Sequence, residues 1–152
     1  MEQNTGQKAH VDELLKAGRT VQIHPQGYSM YPLLVPGRDQ VVVAPADKAE
    51  YHRGDVVLYR RDESILVLHR IWKRREEGYY MVGDNQKEIE GPLRRDQILG
   101  VMICVIRKGK KIPVENGAYR LLTGIWLWMR PVRPTISHGV AWVKRLFRRL
   151  QK

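Results

Sequence analysis

The chain reads as a mainly β protein, built as an antiparallel barrel or a pair of packed sheets, on three observations. Six short runs are rich in β-branched and apolar residues. Glycine, proline and Asn/Asp turn signals separate them, and helical periodicity is confined to the two ends of the chain. Strands at this spacing are the pattern of an antiparallel all-β domain.

The elements follow in order. Residues 9 to 17 (Ala-His-Val-Asp-Glu-Leu-Leu-Lys-Ala) predict a short helix closed by Gly18. Val21 and Ile23 alternate with polar neighbours, as a half-buried strand does, and Gln40 to Ala44 is a valine run. Asp55 to Arg60, Ile65 to Trp72, Tyr79 to Val82 and Ile98 to Ile106 supply four more strands. Their boundaries are Pro36-Gly37, Arg53-Gly54-Asp55, Glu77-Gly78, Gly83-Asp84-Asn85 and Gly91-Pro92. Two helices are expected after them, Ala118 to Met129 and His138 to Leu150, around Pro131 and Pro134. The organisation is a helical lead-in over 1–18, a β domain over 19–115 and a basic amphipathic tail over 116–152.

Composition narrows the function classes. The chain is 43% hydrophobic and 28% charged, which suits a folded domain with a core of its own. Its single cysteine, Cys104, excludes an internal disulfide framework and a multi-cysteine zinc site. No metal cluster, phosphate loop or dinucleotide motif occurs, so no cofactor is expected. The polar first twenty residues lack a signal-peptide core, and no apolar run is long enough to span a bilayer. The reading is a cytoplasmic protein.

The net charge of +11 is concentrated at one end. From Tyr119 onward there are eight basic residues and no acidic one, which leaves +3 for the preceding 118. In the last expected helix Val140, Val143, Leu146, Phe147 and Leu150 share one face, and Lys144, Arg145, Arg148 and Arg149 share the other. Such a helix, with Trp142 on it and Trp126 and Trp128 before it, lies on an anionic membrane surface or docks on the barrel. Basic residues alternating with Trp and Leu at helical spacing suit those partners better than nucleic acid, so none is expected there.

The chemistry centres on Gly27-Tyr28-Ser29-Met30-Tyr31-Pro32. Gly27 permits a tight bend and Pro32 stops a strand from continuing, which puts the Ser29 hydroxyl on a constrained turn. That position suits a nucleophile, and it equally suits an ordinary turn serine. A serine nucleophile needs a base within reach. Of five histidines, His24 adjoins the turn, and His69 sits inside the apolar strand Ile65-Leu66-Val67-Leu68-His69-Arg70-Ile71-Trp72. A satisfied core or edge histidine is the alternative reading for His69.

Four pieces in order carry a resemblance. They are Gly27-Tyr28-Ser29-Met30-Tyr31-Pro32, Arg53-Gly54-Asp55-Val56-Val57-Leu58-Tyr59, Leu68-His69-Arg70-Ile71 and Met81-Val82-Gly83-Asp84-Asn85. Together, over Val21 to Ile106, the chain resembles the signal peptidase I and S24/S26 serine peptidase superfamily. The resemblance implies a LexA- or signal-peptidase-like antiparallel β-barrel, with Ser29 as the acyl-forming nucleophile of a serine endopeptidase. It also implies His69 as base, since the lysine of most bacterial members is histidine in the archaeal and endoplasmic-reticulum branch. Histidine works near its reference pKa, whereas lysine needs burial to become neutral. Asp84 is then the acid that orients His69, with Glu88 and Glu90 as the alternatives, or else it braces its own turn.

Two departures from the family pattern matter. Gly27 stands where many bacterial members carry an oxyanion-binding serine. The oxyanion must then be held by backbone N–H groups around Ser29, with Gly27 and Met30 flanking it. The N-terminal membrane anchor of export signal peptidases is also missing, so ordinary processing of secreted preproteins is not expected. The implied substrate is an extended leader or signal-type peptide with small side chains before the cleaved bond. A catalytically inactive peptide- or membrane-binding module is the alternative. A self-cleaving repressor is disfavoured, because the segment before Gly27 is too short for a helix-turn-helix domain.

Overall fold

The computed structural model describes residues 10–61 and 65–132. One antiparallel sheet of eight strands curls around two apolar clusters. The strands are β1 (Val21–Ile23), β2 (Asp39–Pro45), β3 (Val56–Arg61), β4 (Ile65–Arg75), β5 (Gly78–Val82), β6 (Glu90–Leu93), β7 (Ile98–Arg107) and β8 (Lys110–Pro113). Their order is β1-β2-β7-β3-β4-β5-β6, with β8 also paired to β7. A helix over 10–16 (α1) precedes them and a helix at Gly117–Trp128 (α2) follows.

All six expected strands form, and two more join them. Gly91-Pro92 is not a turn between strands but the middle of β6, which pairs Glu90 with Met81 and Leu93 with Tyr79. Proline is tolerated there because β6 is the sheet edge, where a missing N–H costs no ladder bond. Strand β8 reads as basic and polar in sequence, yet it pairs fully with β7 through Lys111↔Ile106 and Ile112↔Val105.

Period-two alternation divides the β3–β4 hairpin between the two clusters. Leu58, Leu66 and Leu68 face the first, with Leu15, Met30, Leu34, Val41 and Val43. Val57, Tyr59, Val67 and Ile71 face the second, with Tyr51, Tyr79, Met81 and Ile98. His69 falls on the second face by the same alternation.

Helix α2 is apolar on both sides. Thr123 and Leu127 are buried, and Trp126 donates its Nε1–H to the Asp84 carbonyl at 3.0 Å. Leu121, Leu122, Ile125 and Trp128 remain exposed on the outer side. The second expected tail helix, His138 to Leu150, lies outside the described residues. Among the described residues no helix is long and apolar enough to cross a membrane.

Candidate functional site

Ser29 sits half-buried on the turn that leaves β1. Gly27 holds φ at +73°, a left-handed conformation that side-chain-bearing residues rarely adopt, and this bends the chain into the serine. Met30 is buried in the first core cluster and anchors the turn from beneath. Below the turn, Asp39 accepts from the Val35 N–H at 2.8 Å and from Arg38 and Arg107, while Arg107 donates to the Leu33 carbonyl. Burial opposes the Asp39 charge. These hydrogen bonds win, and they hold its carboxyl well below the usual carboxylate range.

Two features of the turn suit acyl chemistry. Among the described residues the N–H groups of Ser29 and Met30 donate to no protein acceptor. The Ser29 carbonyl is held from outside, accepting the Asn85 N–H at 2.8 Å. The Gly83-Asp84-Asn85 turn therefore touches the serine directly. Gly83 is required for that approach, since a Cβ there would lie 2.7 Å from the Ser29 carbonyl oxygen.

A cavity of about 360 Å³ adjoins Ser29, lined by Ile23 and His24 on one side and by Leu58, Leu66 and Leu68 on the other. Its two long walls are strand edges. β1 pairs only with β2, and β5 pairs with β4 only from Arg70 to Arg75. Among the described residues, Val21–Ile23 and residues 65–69 of β4 therefore each leave one backbone edge unpaired across this groove.

His69 lies on β4 just before β5 joins, 4% exposed, beside a second cavity of about 400 Å³ with Gln86, Glu88 and Glu90. Its Nδ1 is 3.1 Å from the hydroxyl of Tyr59, which donates to Glu90 Oε2 at 2.7 Å. Arg61 closes the chain, its Nε 2.5 Å from Glu90 Oε1. Burial would raise the Glu90 carboxyl, but the bonds from Arg61 and Tyr59 overcome it and hold it below its ordinary value.

Asp84 has a different principal partner. Its two oxygens take Nε and Nη2 of Arg70, each at 2.8 Å, in a pair almost wholly removed from solvent. Arg70 also donates to the Gly54 carbonyl at 2.7 Å, so one guanidinium ties β4 to two turns. Of the three acids considered from sequence, Glu90 is the one with a hydrogen-bonded path to His69 through Tyr59, while Glu88 is exposed on the cavity wall. Sequence reasoning did not single out Tyr59 or Arg61. The available signal was hairpin register: Val57 opposes His69 and Tyr59 opposes Val67, which makes Tyr59 a same-face diagonal neighbour of the histidine.

Ser29 and His69 are not joined. They line separate cavities, and the 83–86 turn bonds Ser29 through Asn85 and reaches the His69 cavity through Gln86. No Ser29–His69 hydrogen bond occurs among the described residues.

Burial, partly offset by the Glu90 charge, lowers the His69 pKa from 6.5 to about 4. The ring is therefore further from its reference value than the sequence implies, and neutral throughout the physiological range. A base with a depressed folded pKa takes up its proton first in the unfolded chain. Stability is thus complete above pH 6.5 and falls as pH drops toward 4, by about 3 kcal/mol in total. Urea unfolding of wild type and His69→Asn at neutral and acid pH checks this. The wild type should lose about 2–3 kcal/mol more than the variant on acidification, and equal losses would show that His69 is not buried as a neutral base.

No protein-family model matches this chain, and neither does a curated protein.

Proposed function

We propose that this protein is a serine endopeptidase of the signal peptidase and S24/S26 type, with Ser29 as nucleophile and His69 as general base. The observation that carries the reading is the groove between two unpaired strand edges, which ends at Ser29. An extended peptide adds backbone hydrogen bonds along such edges while its side chains enter the apolar floor. Leu58, Leu66 and Leu68 leave modest, apolar space there, in keeping with small side chains before the cleaved bond.

The chemistry then follows from groups in place. Neutral His69 takes the Ser29 proton as the oxygen attacks the scissile carbonyl, and returns it to the departing amine. The unspent N–H groups of Ser29 and Met30 receive the oxyanion, in place of the side-chain donor that Gly27 lacks. Water then hydrolyses the acyl-enzyme by the same route. The dyad requires Ser29 Oγ and His69 Nε2 to come within about 2.6–3.2 Å, a contact that tightens in substrate complexes.

The test is covalent labelling with a serine-directed phosphonate, read by intact mass for wild type, Ser29→Ala and His69→Ala. Single labelling lost in both variants supports the dyad. Its rate should hold from about pH 8 down to pH 5 and fall as His69 protonates near 4. Unlabelled, folded wild type rejects it. The missing Ser29–His69 bond favours one second reading, a non-catalytic peptide-binding barrel. Peptide binding that survives Ser29→Ala with no labelling of wild type is its signature.

Peripheral contact with an anionic membrane belongs to the same proposal. Leu121, Leu122, Ile125 and Trp128 are exposed together on α2, and no acidic residue follows Glu115. Trp128→Ala should weaken binding to vesicles containing phosphatidylserine by about tenfold, the loss expected when one large buried aromatic is removed. Unchanged cosedimentation would remove α2 from the contact.

A further inference from the structure

We propose that Tyr59 is a positioning residue that sets the tautomer of His69, keeping its proton on Nδ1 and leaving Nε2 as the acceptor. Its catalytic meaning rests on the peptidase reading; the tautomer itself does not.

The argument is a count of protons. Glu90, held as a carboxylate by Arg61, only accepts hydrogen bonds. The Tyr59 hydroxyl has one proton, and the 2.7 Å bond to Glu90 Oε2 takes it. Burial and that carboxylate raise the Tyr59 pKa, so the hydroxyl keeps its proton. Its oxygen can then only accept from the other side. His69 Nδ1, 3.1 Å away, must be the donor. The opposite tautomer would set a nitrogen lone pair against an oxygen lone pair in a site from which water is largely excluded, since Tyr59 is fully buried and His69 is 4% exposed.

The arrangement differs from a carboxylate bonded directly to the imidazole. A neutral hydroxyl stands between the carboxylate and the imidazole and places the Glu90 charge one bond further from the ring. The relay orients the base, and the His69 pKa stays depressed because burial outweighs the opposing charges of Glu90 and Asp84. An aromatic contact fixes the geometry from the side, with the Tyr59 and His69 rings 6.1 Å apart between centroids.

Two variants shift the proton for different reasons. Tyr59→Phe removes the acceptor for Nδ1–H. Glu90→Ala frees the tyrosine proton, which then turns to Nδ1 and drives the histidine proton to Nε2. The measurement is long-range nitrogen–carbon correlation NMR of histidine-labelled protein near neutral pH, with methyl spectra as the control for folding. Wild type should show His69 with a pyrrole-type Nδ1 and a pyridine-type Nε2, and folded Tyr59→Phe and Glu90→Ala should each show the two exchanged. Wild type protonated at Nε2, or an unchanged tautomer in whichever of the two variants folds, would overturn the proposal. The phosphonate labelling rate should fall at least about tenfold in Tyr59→Phe, in the direction known for wrong-tautomer variants. A correct tautomer with no labelling of Ser29 would sink the dyad and leave the relay standing. Labelling that needs His69 together with the wrong wild-type tautomer would do the reverse.

Discussion

Replacing Asp84 by alanine is expected to lower the unfolding free energy by about 3–5 kcal/mol, the usual cost of leaving a buried charge without its partner. Arg70 is 1% exposed, and both of its bonds to Asp84 are 2.8 Å long. The Gly54 carbonyl, which it would keep as a partner, carries no compensating charge. Asp84→Asn should cost less, because the amide oxygen still accepts one of the two bonds. Removing both charges as Arg70→Met with Asp84→Leu should recover much of the loss, less about 1–3 kcal/mol for the unsatisfied Gly54 carbonyl. Urea midpoints of the four proteins decide this, and an Asp84→Ala protein within about 1 kcal/mol of wild type would show that the pair is not isolated from water. The same variant should loosen the Asn85–Ser29 contact, since Asp84 holds the turn that supplies it.

Ser29→Ala and His69→Ala should each slow hydrolysis of an activated nitrophenyl ester at least about a thousandfold relative to wild type. The double variant should be no slower than either single one. A nucleophile without its base and a base without its nucleophile are equally idle, so groups that act as a unit give non-additive losses. Additive losses would mean that the two residues act separately, which agrees with their separate cavities and not with a dyad. A small effect of His69→Ala alone would turn attention to His24, which shares the Ser29 cavity.

Much of this architecture was legible in the chain. The apolar run at 65–72 declared itself because its two faces meet the two apolar clusters, and the valine run at 40–44 because Val41 and Val43 fill the first of them. Strand β6 did not, since Glu-Gly-Pro-Leu has the composition of a turn and becomes a strand only through its pairing with β5. That pairing is also what lifts Glu90 to the Tyr59 hydroxyl, so the missed strand and the unsettled acid were one problem. Glu88 and Glu90 are indistinguishable in a linear reading, and two residues of separation leave one exposed on a cavity wall and the other tied to Arg61 and Tyr59.

By itself the sequence determined six of the eight strands, the constrained serine turn, the apolar setting of His69 and the basic bias of the tail, because each depends on spacing within one short segment. Only the tertiary structure decided the partners. Asp84 pairs with Arg70, Glu90 reaches His69 through Tyr59, and the serine turn is held by Asn85. Those choices depend on sheet register across separations of 10 to 56 residues, where a one-residue slip would send each side chain to the opposite face.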